Sequence, residues 1–198
     1  MNTFLIIDSL SVLTVAGQGI SLVVAVALTL SLFGNRMGLV IRNWVSTHAI
    51  VLMGTVAAVA TAGSLFYSEI ALFAPCKDCW IQRIFMYPQV VLLGIAFFRK
   101  DKNIAWYILA LSLLGGAMSA AHYIEQWGAM LNPLENDPLA PCDLSGVSCS
   151  ATYIFQFGYI TIPLMAGTAF GLNILGSLSV ILQKMKYFER FTAKVRKE

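Results

Sequence analysis

The chain has 198 residues, 58% of them hydrophobic and only 12% charged, with a formal net charge of +3. Soluble domains are nearer half apolar and a quarter charged, so this composition excludes an ordinary soluble enzyme and points to one compact membrane domain. The small positive excess lies in a few loops and the tail, where it reads as attraction to anionic lipid and not as nucleic-acid binding.

Five apolar runs are long enough to cross about 30 Å of hydrocarbon as helices: 9–33, 45–66, 84–98, 104–124 and 153–182. Helices are the expected form, because a backbone in lipid has to satisfy its own hydrogen bonds. The first run lacks a positive start and continues past Ala25-Val26-Ala27. It therefore reads as a retained span and not as a cleaved leader. A short loop, 34–43, leads to the second run and carries Arg36 and Arg42. Tight connections of this kind make successive helices antiparallel neighbours.

The break between the second and third runs holds Cys76-Lys77-Asp78-Cys79. Helix is expected from Trp80 onward, which puts Cys79 in or near the first turn. Unpaired N–H groups and the helix dipole favour a thiolate there, and Arg83, one turn further on, adds a positive charge. An arginine at mid-membrane costs about 2.5–3.5 kcal/mol on insertion scales, and less near the rim. Arg83 is therefore either an interfacial anchor or a functional cation serving a thiolate or a lipid-soluble electron acceptor. Gln82 is a second candidate for that task. Zinc binding and haem attachment also use this cysteine spacing. Haem attachment calls for His where Trp80 stands, and an oxidising compartment disfavours zinc, so no metal is expected.

The third run ends in a short loop, 99–103, with Arg99, Lys100 and Lys102, and the fourth ends near His122. The segment 125–150 is the one long polar loop, with Pro133, Pro138 and Pro141 against continuous helix. Trp127, Met130 and Leu131 suit its first turns to a membrane surface. Cys142 and Cys149 close a small ring in this loop if oxidised, stabilising it by roughly 2.5 kcal/mol in the chain-entropy treatment. The pair is either a structural staple or a target for an incoming thiolate. Gly167 and Gly171 have the spacing of a close helix contact.

Eleven of the thirteen basic residues fall in the loops 34–43 and 99–103 or in the tail from Lys184, leaving Lys77 and Arg83 beside the first cysteine pair. The positive-inside rule then puts the N-terminus outside and the C-terminus in the cytoplasm. Both cysteine pairs face the outer compartment, where disulfides persist. Asp8, Glu69, Asp78, Glu125, Glu135, Asp137 and Asp143 share that face.

The run Cys76-Lys77-Asp78-Cys79-Trp80-Ile81-Gln82-Arg83 resembles the CxxCWxQR signature of the DsbB family, especially its BdbC-type members. Ile84-Phe85-Met86-Tyr87-Pro88, then Ala121-His122-Tyr123 before a cysteine-bearing loop, continue the likeness, which covers about 45–182. The resemblance implies an all-α membrane protein with a four-helix bundle at 44–183, its CxxC loop at 68–83 and its long outer loop at 125–150. An additional N-terminal span and loop (1–43) would precede the bundle, making five spans, and a basic cytoplasmic tail (184–198) would follow it.

It further implies a bacterial plasma-membrane oxidoreductase that reoxidises a soluble thioredoxin-fold, DsbA-like thiol oxidase and passes the electrons to a quinone, ubiquinone or menaquinone. Cys142 would form the mixed disulfide with that partner and Cys149 would be its mate. Cys76 and Cys79 would deliver electrons to the quinone, Cys79 nearest the ring, with Arg83, Gln82 and His122 around it. A vitamin K epoxide reductase-like enzyme is a rival, although there the CxxC follows the loop cysteines. A scaffold with two structural disulfides is another. The partner, the quinone type, the direction of electron flow and the oligomeric state are not written in the sequence.

Overall fold

The computed structural model describes residues 3–132, 141–142 and 146–195, with side chains to Met185. Pro133, Glu135, Asp137, Pro138 and Asp143 of the long loop, and the basic side chains beyond Met185, lie outside the described residues. Five helices form: α1 (Thr3–Leu32), α2 (Arg36–Leu65), α3 (Lys77–Arg99), α4 (Ile104–Leu131) and α5 (Ile162–Val195). A π-helical turn, Phe66–Ile70, extends α2. All five are long and apolar enough to cross a membrane, so the chain is a multi-pass membrane protein.

Two hydroxyl side chains inside α1 are satisfied locally. Ser11 and Thr14 donate to the carbonyls of Ile7 and Leu10 at 2.9 and 2.8 Å. Such bonding one turn back removes the need for a partner in lipid. Between α1 and α2 the turn is shorter than the expected loop 34–43. Gly34 takes φ +79, a left-handed conformation open to glycine, and the Asn35 side chain caps α2 by accepting from Met37 N at 2.9 Å. Arg36 and Arg42 therefore belong to the first turns of α2 and not to a loop. Gly38 sits where a Cβ would come within 2.7 Å of the Ala27 carbonyl oxygen, so only glycine lets the two helices meet here.

The helices α2, α3, α4 and α5 pack as a ring, and α1 lies in the groove between α2 and α5. Ala57, Leu93, Ile108 and Phe170 are buried at the centre of the ring. A polar knot ties it together: Gln89 Oε1 accepts from Asn173 Nδ2 at 2.8 Å and from Ser112 Oγ at 3.3 Å, joining α3, α5 and α4. Burial of these groups is tolerated because each finds a partner. The tightest glycine is Gly115, where a Cβ would lie 2.2 Å from the Phe170 ring. Of the expected GxxxG pair, Gly167 faces Ser119 and Gly171 faces open space, so the pair does not act as one close contact.

Besides the early starts of α1 at Thr3 and α2 at Arg36, three further element boundaries differ from expectation. α4 runs on to Leu131, carrying Trp127 and Met130 within the helix, because the prolines begin only at Pro133. α5 starts at Ile162, not near Tyr153. The segment before it turns sharply, with Phe157 and Gly158 at φ +53 and +77 and a bridge between Gln156 and Ile160. α3 starts at Lys77 with Cys76 as its N-cap, three residues ahead of Trp80.

The start of α3, the end of α4 and the start of α5 meet at one end of the bundle, and with them all four cysteines. At the opposite end Lys184 Nζ donates to Asn103 Oδ1 at 2.8 Å and Lys102 Nζ to the Ser46 carbonyl at 3.3 Å. Aromatic rings brace the cysteine end: Phe73 stacks on Tyr153 at 5.0 Å, and Tyr123 and Phe155 flank Trp127. Rings at this level fit a membrane–water interface.

Candidate functional site

Cys76 is held in extended backbone as the α3 N-cap. Its sulfur accepts the Cys79 backbone N–H at 3.5 Å and lies 3.2 Å from Cys79 Sγ, so the two form a dithiol. His122 of α4 reaches across, with Nε2 3.8 Å from Cys76 Sγ. These contacts favour the anion on Cys76, whereas spacing alone pointed to Cys79. The Cys79 thiol, then the His122 ring and the Cys79 N–H, hold the Cys76 thiol below the usual thiol range against burial, which pushes it up.

The sign of the consequence is direct. An ordinary thiol loses its charge as pH falls below about 8.5. The Cys76 thiolate should survive that fall and be lost only at lower pH. Thiolate ultraviolet absorbance, followed on the reduced pair against a Cys76→Ala reference, measures this. A midpoint near 8.5 would contradict the hydrogen-bond assignment.

Gln82, one turn inside α3, donates from Nε2 to His122 Nδ1 at 3.0 Å. That fixes the ring, whose Nε2–H then points to the Cys149 carbonyl at 2.9 Å. One buried imidazole thus touches Cys76 of the first pair and the backbone of Cys149 in the second. Chain separations of 46 and 27 residues hide this bridge from sequence reasoning.

Cys142 and Cys149 form a disulfide with Cα atoms 5.8 Å apart. Within the ring Gly146 takes φ +76, and Cys142 N donates to the Val147 carbonyl at 3.3 Å. The two sulfurs differ in access: Cys142 is exposed, while Cys149 is 2% exposed. The ring is also tied down through Ser150 Oγ, which donates to Glu125 at 3.2 Å.

Beside the start of α3 lies a cavity of about 310 Å³, bounded by α1, α2, α3 and α5. Cys79, Gln82 and Arg83 line its α3 wall, and Tyr67 and Tyr87 add phenol groups. The remaining lining is overwhelmingly apolar. Its size and makeup are those of a small-molecule site, with few polar groups converging at one end. Arg83 is 9% exposed, with Nη2 donating to the Ser64 carbonyl at 3.1 Å and its guanidinium 5.1 Å from the Trp80 ring. Neither Cys76 nor His122 lines this cavity. The CxxC pair therefore sits at the start of α3 between the two, with Cys79 lining the cavity and Cys76 beside His122, which also contacts the Cys149 carbonyl.

The family described as "Disulfide bond formation protein DsbB" matches residues 46–178. The chain belongs to the DsbB family. It is 42% identical to Disulfide bond formation protein C of Bacillus subtilis over 141 residues, covering 71% of this chain and 91% of that relative. It is likewise 42% identical to Probable disulfide formation protein C of Halalkalibacterium halodurans over 125 residues, covering 63% and 87%. The SPbeta prophage-derived disulfide bond formation protein B of Bacillus subtilis is 37% identical over 126 residues, covering 64% and 80%. No solved structure matches the chain. Membership makes this DsbB-family chain a membrane thiol–disulfide oxidoreductase. The donor atoms of Cys76, Cys79 and His122 also lie within 4.8 Å of one another. They could hold a soft cation only while the pair is reduced, since a disulfide withdraws both thiolates as ligands.

Proposed function

We propose that this DsbB-family protein reoxidises a soluble thioredoxin-fold, DsbA-like thiol oxidase on the outer face of a bacterial plasma membrane and transfers the electrons to a quinone. The observation that carries this reading is that Cys79 lines the apolar cavity while Cys76, 3.2 Å from it, lies beside His122 and the loop disulfide. The positive-inside rule supports the orientation: Arg36, Arg99, Lys100 and Lys102 lie at the end away from the cysteines.

A partner thiolate attacks the exposed Cys142, forming a mixed disulfide and releasing Cys149 as thiolate. The partner's second thiolate then displaces Cys142, leaving the partner oxidised and the loop pair reduced. Cys149 is held by its own carbonyl against His122, whose ring contacts Cys76. In the next exchange a loop thiolate attacks the Cys76–Cys79 disulfide, and the loop disulfide re-forms as the inner pair becomes a dithiol. His122 holds or passes a proton at Nε2, beside the sulfur that changes charge.

Arg83 would hold the quinone ring, with Gln82 and Tyr87 beside it, because a cation at one end of an apolar cavity suits carbonyl oxygens on an apolar molecule. Bound there, a quinone supplies a two-electron, two-proton acceptor, so that the Cys76–Cys79 disulfide re-forms as quinol is made.

The purified protein, given a reduced thioredoxin-fold oxidase and ubiquinone or menaquinone analogues, should reduce one of them in a thiol-dependent reaction. No reduction of either would defeat the proposal. The order of the relay has its own test. With oxidised partner, Cys149→Ser should accumulate a covalent complex through Cys142, while Cys142→Ser should not. A stable complex through Cys76 would reverse the assignment.

A further inference from the structure

Helix α1 lies outside the family match, which begins at residue 46, yet it walls the cavity that Cys79 and Arg83 open into. We infer that α1 is a lateral guide for the acceptor: its face bearing Leu10, Leu13, Ala16, Gly17 and Ile20 receives the isoprenoid tail of a quinone whose ring lies at the Arg83 end. This rests on the quinone reading given above.

That face is built for an apolar chain. Thr14, within it, turns its hydroxyl back to the Leu10 carbonyl at 2.8 Å and offers the cavity no free polar group. Thr55 on the facing wall of α2 does the same with the Val51 carbonyl at 2.9 Å. Leu13 and Ile20 line the cavity and are still 52% and 55% exposed, so the cavity runs out to the lipid-facing surface along α1. The ten helical steps from Leu10 to Ile20 rise about 15 Å, enough for several isoprene units. The sides of the cavity thus lead from the lipid to the redox end.

α1 is also fixed in place, as a wall has to be. Near the cysteine end Gln156 Nε2 donates to Asp8 at 3.3 Å, and further along the Tyr159 hydroxyl donates to Gln18 at 2.9 Å. Midway, a Cβ on Gly17 would stand 3.1 Å from Thr168 Cγ2, which marks close approach to α5. At the far end α1 meets Gly38 backbone to backbone. A helix serving only as an anchor has no need of fixing at all three levels, nor of facing the redox cavity.

The test uses the full chain in lipid nanodiscs, wild type against Ala16→Trp, which narrows the rim, and Leu13→Ala, which removes part of the wall. Binding of a radiolabelled quinone analogue with a long isoprenoid tail is compared with that of a tail-less analogue. Ala16→Trp should weaken the tailed analogue tenfold or more relative to the tail-less one, and Leu13→Ala by a few fold. A tailed analogue carrying a photoreactive group on the tail should label the peptide spanning Leu10 to Ile20 in the wild type. Unchanged affinity ratios in both variants, with labelling confined to α2 and α5, would overturn the inference while leaving the quinone reading intact. Wild-type protein that binds neither analogue would overturn both.

Discussion

Replacing Cys79 by serine is expected to abolish steady-state quinone reduction, by roughly a thousandfold or more, equivalent to about 4 kcal/mol of barrier. Cys79 is the one cysteine sulfur that faces the cavity, and serine keeps its size without its redox chemistry. The substitution also removes the thiol donor that does most to hold Cys76 as a thiolate, 3.2 Å away. The inner disulfide cannot form, so the reduced loop pair has no disulfide to exchange with and its electrons go no further. The loop pair is built separately, around Gly146 and the Ser150–Glu125 contact, so its first exchange with partner thiols should survive. The expected record is one partner disulfide formed per molecule and then a stop. Stopped-flow quinone absorbance with a parallel thiol count reads both halves. Repeated turnover in Cys79→Ser would show that electrons reach the acceptor by a route that avoids this sulfur.

The five spans were legible because lipid leaves the chain little choice: an apolar run of this length has to close its own hydrogen bonds. Hydropathy is blind to what happens at the ends. Tyr153, Phe155 and Phe157 are as apolar as a helix, yet Phe157 and Gly158 adopt left-handed backbone and delay α5 to Ile162. Glu125 marked an end in the polarity pattern, but one charge at an interface does not stop α4, which continues to Leu131. In the site, the CxxC, Gln82 and Arg83 could be singled out because they sit within two helical turns of one another. The position of the anion could not. It depends on Cys76 being the cap, a matter of three residues in where α3 begins. The Gln82–His122–Cys149 bridge was hidden for another reason. It joins three elements, and its placement follows from the packing of α3 on α4 and not from any local pattern. The wall formed by α1 carries no polar signal, so it reads in sequence as one more span.

Arg83→Leu is expected to weaken quinone binding by about 10- to 150-fold, the range for losing a charged hydrogen bond of about 1.5–3 kcal/mol. The guanidinium is nearly buried, and one known contact, to the Ser64 carbonyl at 3.1 Å, uses only part of its donor set. The Trp80 ring, 5.1 Å from it, steadies the plane from one side. That leaves donors directed at the cavity from a fixed plane, which a lysine cannot reproduce, since its ammonium is a flexible point charge. Arg83→Lys should accordingly restore less than a tenth of the lost affinity, although it keeps the positive charge near Cys79. Loss of the Ser64 contact alone predicts a different pattern, because the cost would then fall on folding. Binding of a quinone analogue and the thermal midpoint of the same detergent-solubilised samples separate the two. Unchanged affinity with a lowered midpoint would make Arg83 a brace between α3 and α2. Weakened affinity with a midpoint close to wild type would place its charge on the acceptor.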